Sequence, residues 1–209
     1  WAHTGGSEMF FQAGFAARSA VSTVGLATAG AFASPSALDG EAGLFAALGR
    51  RARADEVELF EGPPEILSVY HKPVPACNFA QTATVAAAAI AQAQVFKAED
   101  ITAIRVRVPL AGARYPGCDA RGPFVHILQG KMSIQYNVCA TLVAGSASER
   151  NFALLDDRAV TRLVAATTLE VDDALTRAYP HAQGAEVAVR SEEHTSELQS
   201  RGLISYAVF

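Results

Sequence analysis

The chain has 209 residues, of which half are hydrophobic, and a formal net charge of −4. This apolar content is ample for a packed core and excludes a disordered chain, while the dispersed Lys and Arg residues form no basic stripe of the kind that binds nucleic acid. The longest apolar run, ATVAAAAIA, is far shorter than the about 20 residues of a membrane-spanning helix, so no membrane partner is expected either.

The first part of the chain is predicted to be helical. Residues 14–30, GFAARSAVSTVGLATAG, are small and apolar, which predicts a buried helix closed by Gly30. A turn, SPSALDGEAG, and a short apolar segment, LFAALG, follow. The most polar stretch, RRARADEVELFEGPP, ends in Pro63 and Pro64, and we place a domain boundary between these two prolines.

The second part of the chain mixes predicted strands and helices. EILSVYHK suits a strand, KPVPACN a loop, and the alanine-rich FAQTATVAAAAIAQAQVF a helix covered on most sides. AIRVRV alternates apolar and basic residues, which predicts a half-exposed strand with Arg105 and Arg107 on its open face. Strands and helices in this order predict an α+β fold class.

A long loop rich in glycine and proline, PLAGARYPGCDARGPFVH, is predicted to lead into a helix, GKMSIQYNVCATLVAG, that ends at Gly145. LDDRAVTRLVAATT predicts a further helix, because acidic residues in a first turn interact favourably with the helix dipole. LEVDD and AEVAV are predicted to be closing strands.

The last stretch, RSEEHTSELQSRGLISYAVF (190–209), differs from the rest in being rich in Ser and Glu without a helix or strand period. Its residues match the translation of a common short-read sequencing adapter, with a variable index encoding Arg201 to Leu203. We therefore interpret 190–209 as adapter-encoded and expect the gene-derived part to end at about Val189. Ser191–Gln199 is then predicted to be irregular or a poorly packed helix, and GLISYAVF to add to an open sheet edge.

The chain has three cysteines, Cys77, Cys118 and Cys139, which are unevenly spaced and include no C-x-x-C pair. An odd and sparse set is typical of reduced thiols in a cytoplasmic protein rather than of a disulfide framework. It also matches neither a zinc ribbon nor an iron–sulfur ligand set. We therefore expect a cytoplasmic location with free thiols.

The stretch HKPVPACNFAQTA holds Lys72 directly before a Pro-x-Pro loop that leads into the alanine-rich helix. Because proline stiffens the backbone, the ammonium group is held in place and suits a carboxylate substrate. The alternative interpretation is a solvated loop lysine.

A second stretch, KMSIQYNVCATLVAG, places Ser133 and Tyr136 on one helix face close to Lys131. A tyrosine hydroxyl in this position can donate to a substrate oxygen or act as a general acid. The alternative is an ordinary helix whose tyrosine closes the core and whose lysine is solvated. A third stretch, FFQAGFAARSAV followed by a Leu-Asp-Gly turn, is a weak signal by itself, because close helix packing explains its glycines.

Taken in order, these stretches resemble the MmgE/PrpD family, which includes 2-methylcitrate dehydratases and cis-aconitate decarboxylases. The residues that carry the resemblance, which spans 7–189, are Gly14-Phe15-Ala16-Ala17, Leu38-Asp39-Gly40, Lys72-Pro73-Val74-Pro75-Ala76-Cys77, Lys131-Met132-Ser133-Ile134-Gln135-Tyr136, and Gly145 with Phe152. The resemblance implies an all-helical domain and a smaller α/β lid. Residues 1–63 are then expected to be a fragment of the helical domain, and 64–189 an incomplete lid. The chain would be an internal fragment that lacks upstream acidic and histidine residues of the site.

The resemblance further implies a metal-free and cofactor-free lyase that acts on a di- or tricarboxylic acid, in a full-length protein that is a homodimer. Proton abstraction α to a carboxylate would be followed by loss of water or carbon dioxide. Lys72 would hold a carboxylate and Tyr136 would donate a hydrogen bond or a proton. The implied substrate-binding residues are Gln12, Cys77, Gln81, Lys131 and Ser133.

This sequence departs from the family pattern at three positions: Met9, Gln12 and Gln81 stand where many members carry Lys, His and His. Those changes remove a cation and two titratable groups. Two alternatives stay open, an epimerase of the same family that shares the first proton abstraction, and a non-catalytic binding or structural module.

Overall fold

The computed structural model describes residues 1–49, 62–69, 71–93, 97–191 and 195–202. The chain divides into two compact units, one formed by Trp1–Met9 with His71–Phe209 and the other by Phe10–Tyr70. The predicted domain boundary at Pro63–Pro64 falls inside the second of these, and it stays a prediction. Most of the polar stretch before Pro63 lies outside the described residues.

The unit Phe10–Tyr70 contains helix α1 (Glu8–Thr28) except for its first two residues, the short helix α2 (Leu44–Ala47) and a 3-10 turn (Glu65–Ser68). α1 ends as predicted, because Gly30 has a φ of +96° and its N–H, with that of Ala31, binds the last carbonyls of the helix. The prediction that this helix is buried is wrong, since none of its residues is buried in this chain. Small apolar residues favour close packing but need a partner surface to be covered.

EILSVYHK does not form the predicted strand. Glu65–Ser68 is instead a single 3-10 turn that follows Pro64, with Val69 extended after it. A strand is stabilised by pairing with a neighbour, and the apolar residues here, Ile66 and Leu67, are more than 70% exposed. Apolar composition alone therefore gave a wrong assignment.

The other unit is α+β, as the sequence predicts. Its helices are α3 (Gln81–Ala93), α4 (Leu110–Arg114), α5 (Ile127–Met132), α6 (Ile134–Ala144), α7 (Arg158–Ala165) and α8 (Asp173–Ala178). Its strands are β1 (Ile101–Val108), β2 (Thr167–Val171), β3 (Gln183–Ser191) and β4 (Thr195–Gly202). Three further 3-10 turns cover Asn78–Ala80, Ala98–Asp100 and Glu149–Leu154.

The strands form one mixed sheet in the order β2-β1-β3-β4. β1 pairs parallel with β2 and antiparallel with β3, so that Val106 lies opposite both Leu169 and Val187. The alternation predicted for β1 is confirmed: Ile104, Val106 and Val108 are buried, while Arg107 on the other face donates to Glu186 of β3 at 3.4 Å. The predicted closing strands LEVDD and AEVAV correspond to parts of β2 and β3.

The segment interpreted as adapter-encoded supplies the last strand. β4 pairs antiparallel with β3 from Gln183↔Gly202 to Arg190↔Thr195. The prediction of irregular structure is therefore wrong for Thr195–Gln199. Without this segment, β3 would present unpaired N–H and C=O groups at its edge, and such an edge accepts almost any extended chain. Residues 203–209, for which strand addition is predicted, lie outside the described residues.

Helix α6 is the central element of the core, with all residues from Ile134 to Leu142 buried. It packs against α3, whose face of small residues allows close approach, and against α7. The predicted helix over 130–145 is split at Ser133, which ends α5 and caps the start of α6. Gly145, at a φ of +73°, ends α6 as predicted. The segments of the candidate site are hydrogen-bonded to the α5–α6 junction.

Candidate functional site

The loop from Lys72 to Cys77, called here the Lys72 loop, is held from beneath by the side chain of Gln81. Gln81 Nε2 donates to the carbonyls of Val74 and Ala76, both at 2.9 Å, and Gln81 Oε1 accepts from the N–H of Val74 at 3.2 Å. Gln81 is 1% exposed. The structure thus uses this amide to position the loop, and its predicted contact with substrate stays a prediction.

Lys72 itself is exposed. Its Nζ donates to the carbonyl of Ala76 at 3.4 Å, a long hydrogen bond at the other end of its own loop. Within the described part of the chain, no carboxylate lies within ion-pair distance of this ammonium group. A cation with no carboxylate partner among the described residues is able to accept a carboxylate ligand.

Cys77, at the end of the Lys72 loop, lies against Cys118 of the segment 115–126 between α4 and α5, with 3.7 Å between the sulfur atoms. The pKa of Cys77 is lowered to about 7, first by the hydrogen bond from the Cys118 thiol and further by the N–H groups of Phe79 and Asn78 and the charge of Lys72. The hydrogen bond and burial raise the pKa of Cys118. Cys77 is therefore the reactive member of the pair.

The Lys72 loop and the segment 115–126 are both tied to the α5–α6 junction. The N–H of Cys77 donates to the carbonyl of Lys131 at 2.8 Å, and the N–H of Ile134 donates to the carbonyl of Cys118 at 3.0 Å. Ser133 donates from Oγ to the carbonyl of Ala120 at 2.6 Å. The segment 115–126, which is part of the predicted Gly/Pro loop, therefore lies beside the start of α6.

The side chains predicted at this junction are already engaged within the protein. Ser133 Oγ also accepts from the N–H of Tyr136 at 3.0 Å, as the N-cap of α6. Lys131 Nζ binds Glu149 at 3.0 Å and lies 5.0 Å from the ring centroid of Phe152. Their predicted contacts with substrate stay predictions, and each would require the present partner to be exchanged.

Tyr136 is fully buried, and its hydroxyl donates to the carbonyl of Asn151 at 2.6 Å. Its ring packs between Phe124, at 5.0 Å between centroids, and Phe152, at 6.0 Å. Burial, followed by the negative charges of Asp157 and Asp156, raises the pKa of this phenol. In this chain Tyr136 closes the core, the alternative that the sequence left open, and its catalytic role stays a prediction.

Gln12, the remaining predicted site residue, lies on α1 with an exposed side chain and belongs to the unit Phe10–Tyr70. The structure therefore groups Lys72 and Cys77 in one loop, with Gln81 of α3 and the backbone of Lys131 against it. The sequence did not identify Cys118 as part of this group, since its separation of 41 residues from Cys77 matches no motif. The position of Cys118 within the Gly/Pro loop was the available signal.

A separate groove of about 240 Å³ lies between the segment Arg121–Phe124 and helix α7. Its walls are mostly apolar, and neither Lys72 nor Cys77 lines it. Among the residues that the structure describes, no group of three or more His, Cys, Asp and Glu side chains is placed to hold a metal ion. No described helix is long and apolar enough to cross a membrane.

A family model described as MmgE/PrpD C-terminal domain matches residues 74–201. The chain belongs to the MmgE/PrpD family. Members of this family are generally enzymes. The matched region includes Cys77, Cys118 and the α5–α6 junction, and it continues into the segment interpreted as adapter-encoded, up to residue 201 of β4. No curated protein sequence matches the chain.

Proposed function

We propose that this MmgE/PrpD protein takes part in a lyase reaction on a small di- or tricarboxylic acid, in which a proton α to a carboxylate is removed and water or carbon dioxide is then lost. No metal is needed for this chemistry. The substrate would be held at the Lys72 loop. The observation that carries the proposal is the ion pairing of the three lysines of the chain.

Two of these lysines form ion pairs with glutamates of the chain. Lys97 lies 3.5 Å from Glu99, and Lys131 lies 3.0 Å from Glu149. Lys72 has no carboxylate partner among the described residues, and its Nζ donates to the carbonyl of Ala76. Its loop is nevertheless held by a buried amide with four hydrogen bonds. A loop held in this way, with a cation that no described carboxylate pairs, supports recognition of an anion rather than a solvated lysine.

The chemistry requires such a cation. Removal of a proton α to a carboxylate places negative charge on an enediolate-like intermediate, and a positioned cation or donor stabilises that charge. Lys72 would bind the carboxylate whose oxygen atoms receive the charge. Cys77, at the end of the same loop, would donate to that carboxylate only in its thiol form, and Gln81 would act by holding the loop in position.

The proposal is tested with Lys72→Ala and Lys72→Arg, and with Lys97→Ala as the matched control in the same unit. A hydrogen bond to a charged group contributes about 1.5–3 kcal/mol, and because Lys72 is exposed we expect the lower end, about a 10-fold weaker affinity for citrate in the alanine variant. The arginine variant should retain part of the affinity, and Lys97→Ala all of it. Isothermal titration calorimetry measures these affinities.

Turnover is measured in the protein made from the intact open reading frame, by ultraviolet absorbance of the unsaturated product from 2-methylcitrate, citrate and cis-aconitate. Lys72→Ala should lose turnover there, with Lys97→Ala unaffected. Equal affinity of Lys72→Ala and the unmodified protein for every acid would refute the proposed role of the loop. Solvent exchange of the α proton without an unsaturated product would indicate an epimerase, and binding without either reaction a non-catalytic module.

A further inference from the structure

The two sulfur atoms of Cys77 and Cys118 are held together by the fold. They lie 3.7 Å apart, and both backbones are hydrogen-bonded to the α5–α6 junction, through Lys131 and Ile134. A disulfide requires a sulfur separation of about 2 Å, which small side-chain rotations could supply from this distance. The geometry therefore allows a bond to form without displacement of either segment from its anchor.

The two thiols differ in the way that a peroxide-reactive pair requires. Cys77 is only partly buried, and with a pKa of about 7 it is substantially ionised near neutral pH. Cys118 is fully buried and stays protonated, donating its S–H to Cys77. An oxidant thus reacts with the Cys77 thiolate first, and the buried Cys118 thiol lies in contact with the oxidised sulfur.

We propose that Cys77 and Cys118 form a dithiol that a peroxide oxidises to a disulfide, and that this bond changes the affinity of the Lys72 loop for anions. In the first step the Cys77 thiolate attacks one oxygen of hydrogen peroxide. The sulfur–oxygen bond forms as the oxygen–oxygen bond breaks, and the departing hydroxide takes up a proton to become water. Cys77 is thereby oxidised to a sulfenic acid.

In the second step Cys118 loses its proton and attacks the sulfur of Cys77. The sulfur–sulfur bond forms, the sulfur–oxygen bond breaks, and the hydroxide leaves as a second water with the proton released by Cys118. Two thiols and one peroxide therefore yield one disulfide and two waters. A small thiol such as dithiothreitol reverses the reaction by thiol–disulfide exchange.

The disulfide would change the surroundings of Lys72 directly. It removes the thiolate at the end of the Lys72 loop and links that loop covalently to the segment 115–126. If the proposed function holds, the oxidised protein binds citrate more tightly, because the negative charge beside Lys72 is removed, and reduction lowers the affinity again. This consequence rests on the proposed function, whereas formation of the disulfide does not.

The third cysteine provides an internal control. Cys139 is fully buried, its Sγ lies 3.3 Å from Thr167 Oγ1, and burial raises its pKa to about 12. Trypsin separates all three cysteines, because each lies in a different segment between cleavable Lys or Arg residues: 54–97, 115–121 and 132–150. Mass spectrometry of the non-reduced digest thus identifies which cysteines are joined.

The test treats the purified chain with a small molar excess of hydrogen peroxide at pH 7. We expect the peptides 54–97 and 115–121 joined with the loss of two hydrogen atoms, separable by dithiothreitol, and the peptide 132–150 with a free thiol. In Cys118→Ala the bond cannot form, and dimedone should label a sulfenic acid on Cys77. Cys139→Ser should form the disulfide as the unmodified chain does.

Free thiols at both Cys77 and Cys118 after treatment would overturn the proposal, as would a disulfide that includes Cys139 or joins two chains. Because the unmodified chain is itself the main sample, failure of a variant to fold leaves the test intact. Citrate affinity is then measured for the reduced and the oxidised chain. A disulfide that forms without any change in affinity would refute the proposed effect on the loop, and an absence of citrate binding in the reduced chain would instead refute the proposed function.

Discussion

Replacing Gln81 with leucine should release the Lys72 loop while keeping the shape of helix α3. The side chain makes four hydrogen bonds to the loop backbone, from Nε2 to the carbonyls of Val74, Ala76 and Cys77 and from the N–H of Val74 to Oε1. Leucine has a similar size but neither donor nor acceptor. The four backbone groups then differ in which hydrogen-bond partners they keep.

All three carbonyl groups keep a second partner in the variant. That of Val74 still accepts from the N–H of Ala76 at 2.8 Å, that of Ala76 from Lys72 at 3.4 Å, and that of Cys77 from the N–H of Ala80 at 3.0 Å. The N–H of Val74, a residue that is 6% exposed, has no other partner among the described residues. An orphaned buried donor costs about 1–3 kcal/mol, and each of the three hydrogen bonds lost by a carbonyl about 1 kcal/mol, so we expect a destabilisation of about 4–6 kcal/mol.

Urea unfolding followed by tryptophan fluorescence measures this change, since the single tryptophan, Trp1, belongs to the same compact unit as Gln81. The control is Gln92→Leu, the same substitution at an exposed position of α3, which should stay within about 0.5 kcal/mol of the unmodified chain. The reasoning would be refuted if Gln81→Leu unfolded at the same urea concentration as Gln92→Leu. Citrate affinity, measured on folded protein, should fall with the stability of the loop.

Three further predictions test other parts of the structure. Tyr136→Phe should cost about 1 kcal/mol of unfolding free energy through the lost hydrogen bond to Asn151, and a much larger loss of turnover than of stability would support the catalytic role instead. Alkylation of Cys77 by iodoacetamide should rise with pH to a midpoint near 7, because the thiolate is the reactive form, and Cys118→Ala should move the midpoint upward; an unchanged midpoint would contradict the assigned cause. Codons for 190–209 should be absent when the gene is amplified from source DNA, and their presence there would end the adapter interpretation.

The candidate site was predictable in part. Pro73 and Pro75 indicated a stiff loop after Lys72, and the loop is indeed held in a defined conformation. The sequence did not indicate that Gln81 holds this loop, because its four residues of separation from Cys77 are equally compatible with an outward-facing amide. Nor did it show that Tyr136 would find a buried acceptor, since a backbone carbonyl 15 residues away carries no sequence signal.

The fold divides in the same way between local and distant effects. The sequence by itself determined β1, through strict alternation of apolar and basic residues, and the helix ends at Gly30 and Gly145, because a positive φ there favours glycine. These features depend on the backbone and side chains of a few neighbouring residues. Family membership is likewise carried by the order of motifs along the chain.

Only the tertiary structure decided which surfaces and groups meet. It left α1 exposed, made Glu65–Ser68 a 3-10 turn instead of part of a strand, and paired β4 with β3. It also placed the sulfur of Cys77 at 3.7 Å from that of Cys118. In each case the outcome depends on the free energy of contacts between residues far apart in the chain. The open edge of β3 and the thiol of Cys118 are such partners. Composition and periodicity describe one segment at a time and carry no information about such partners.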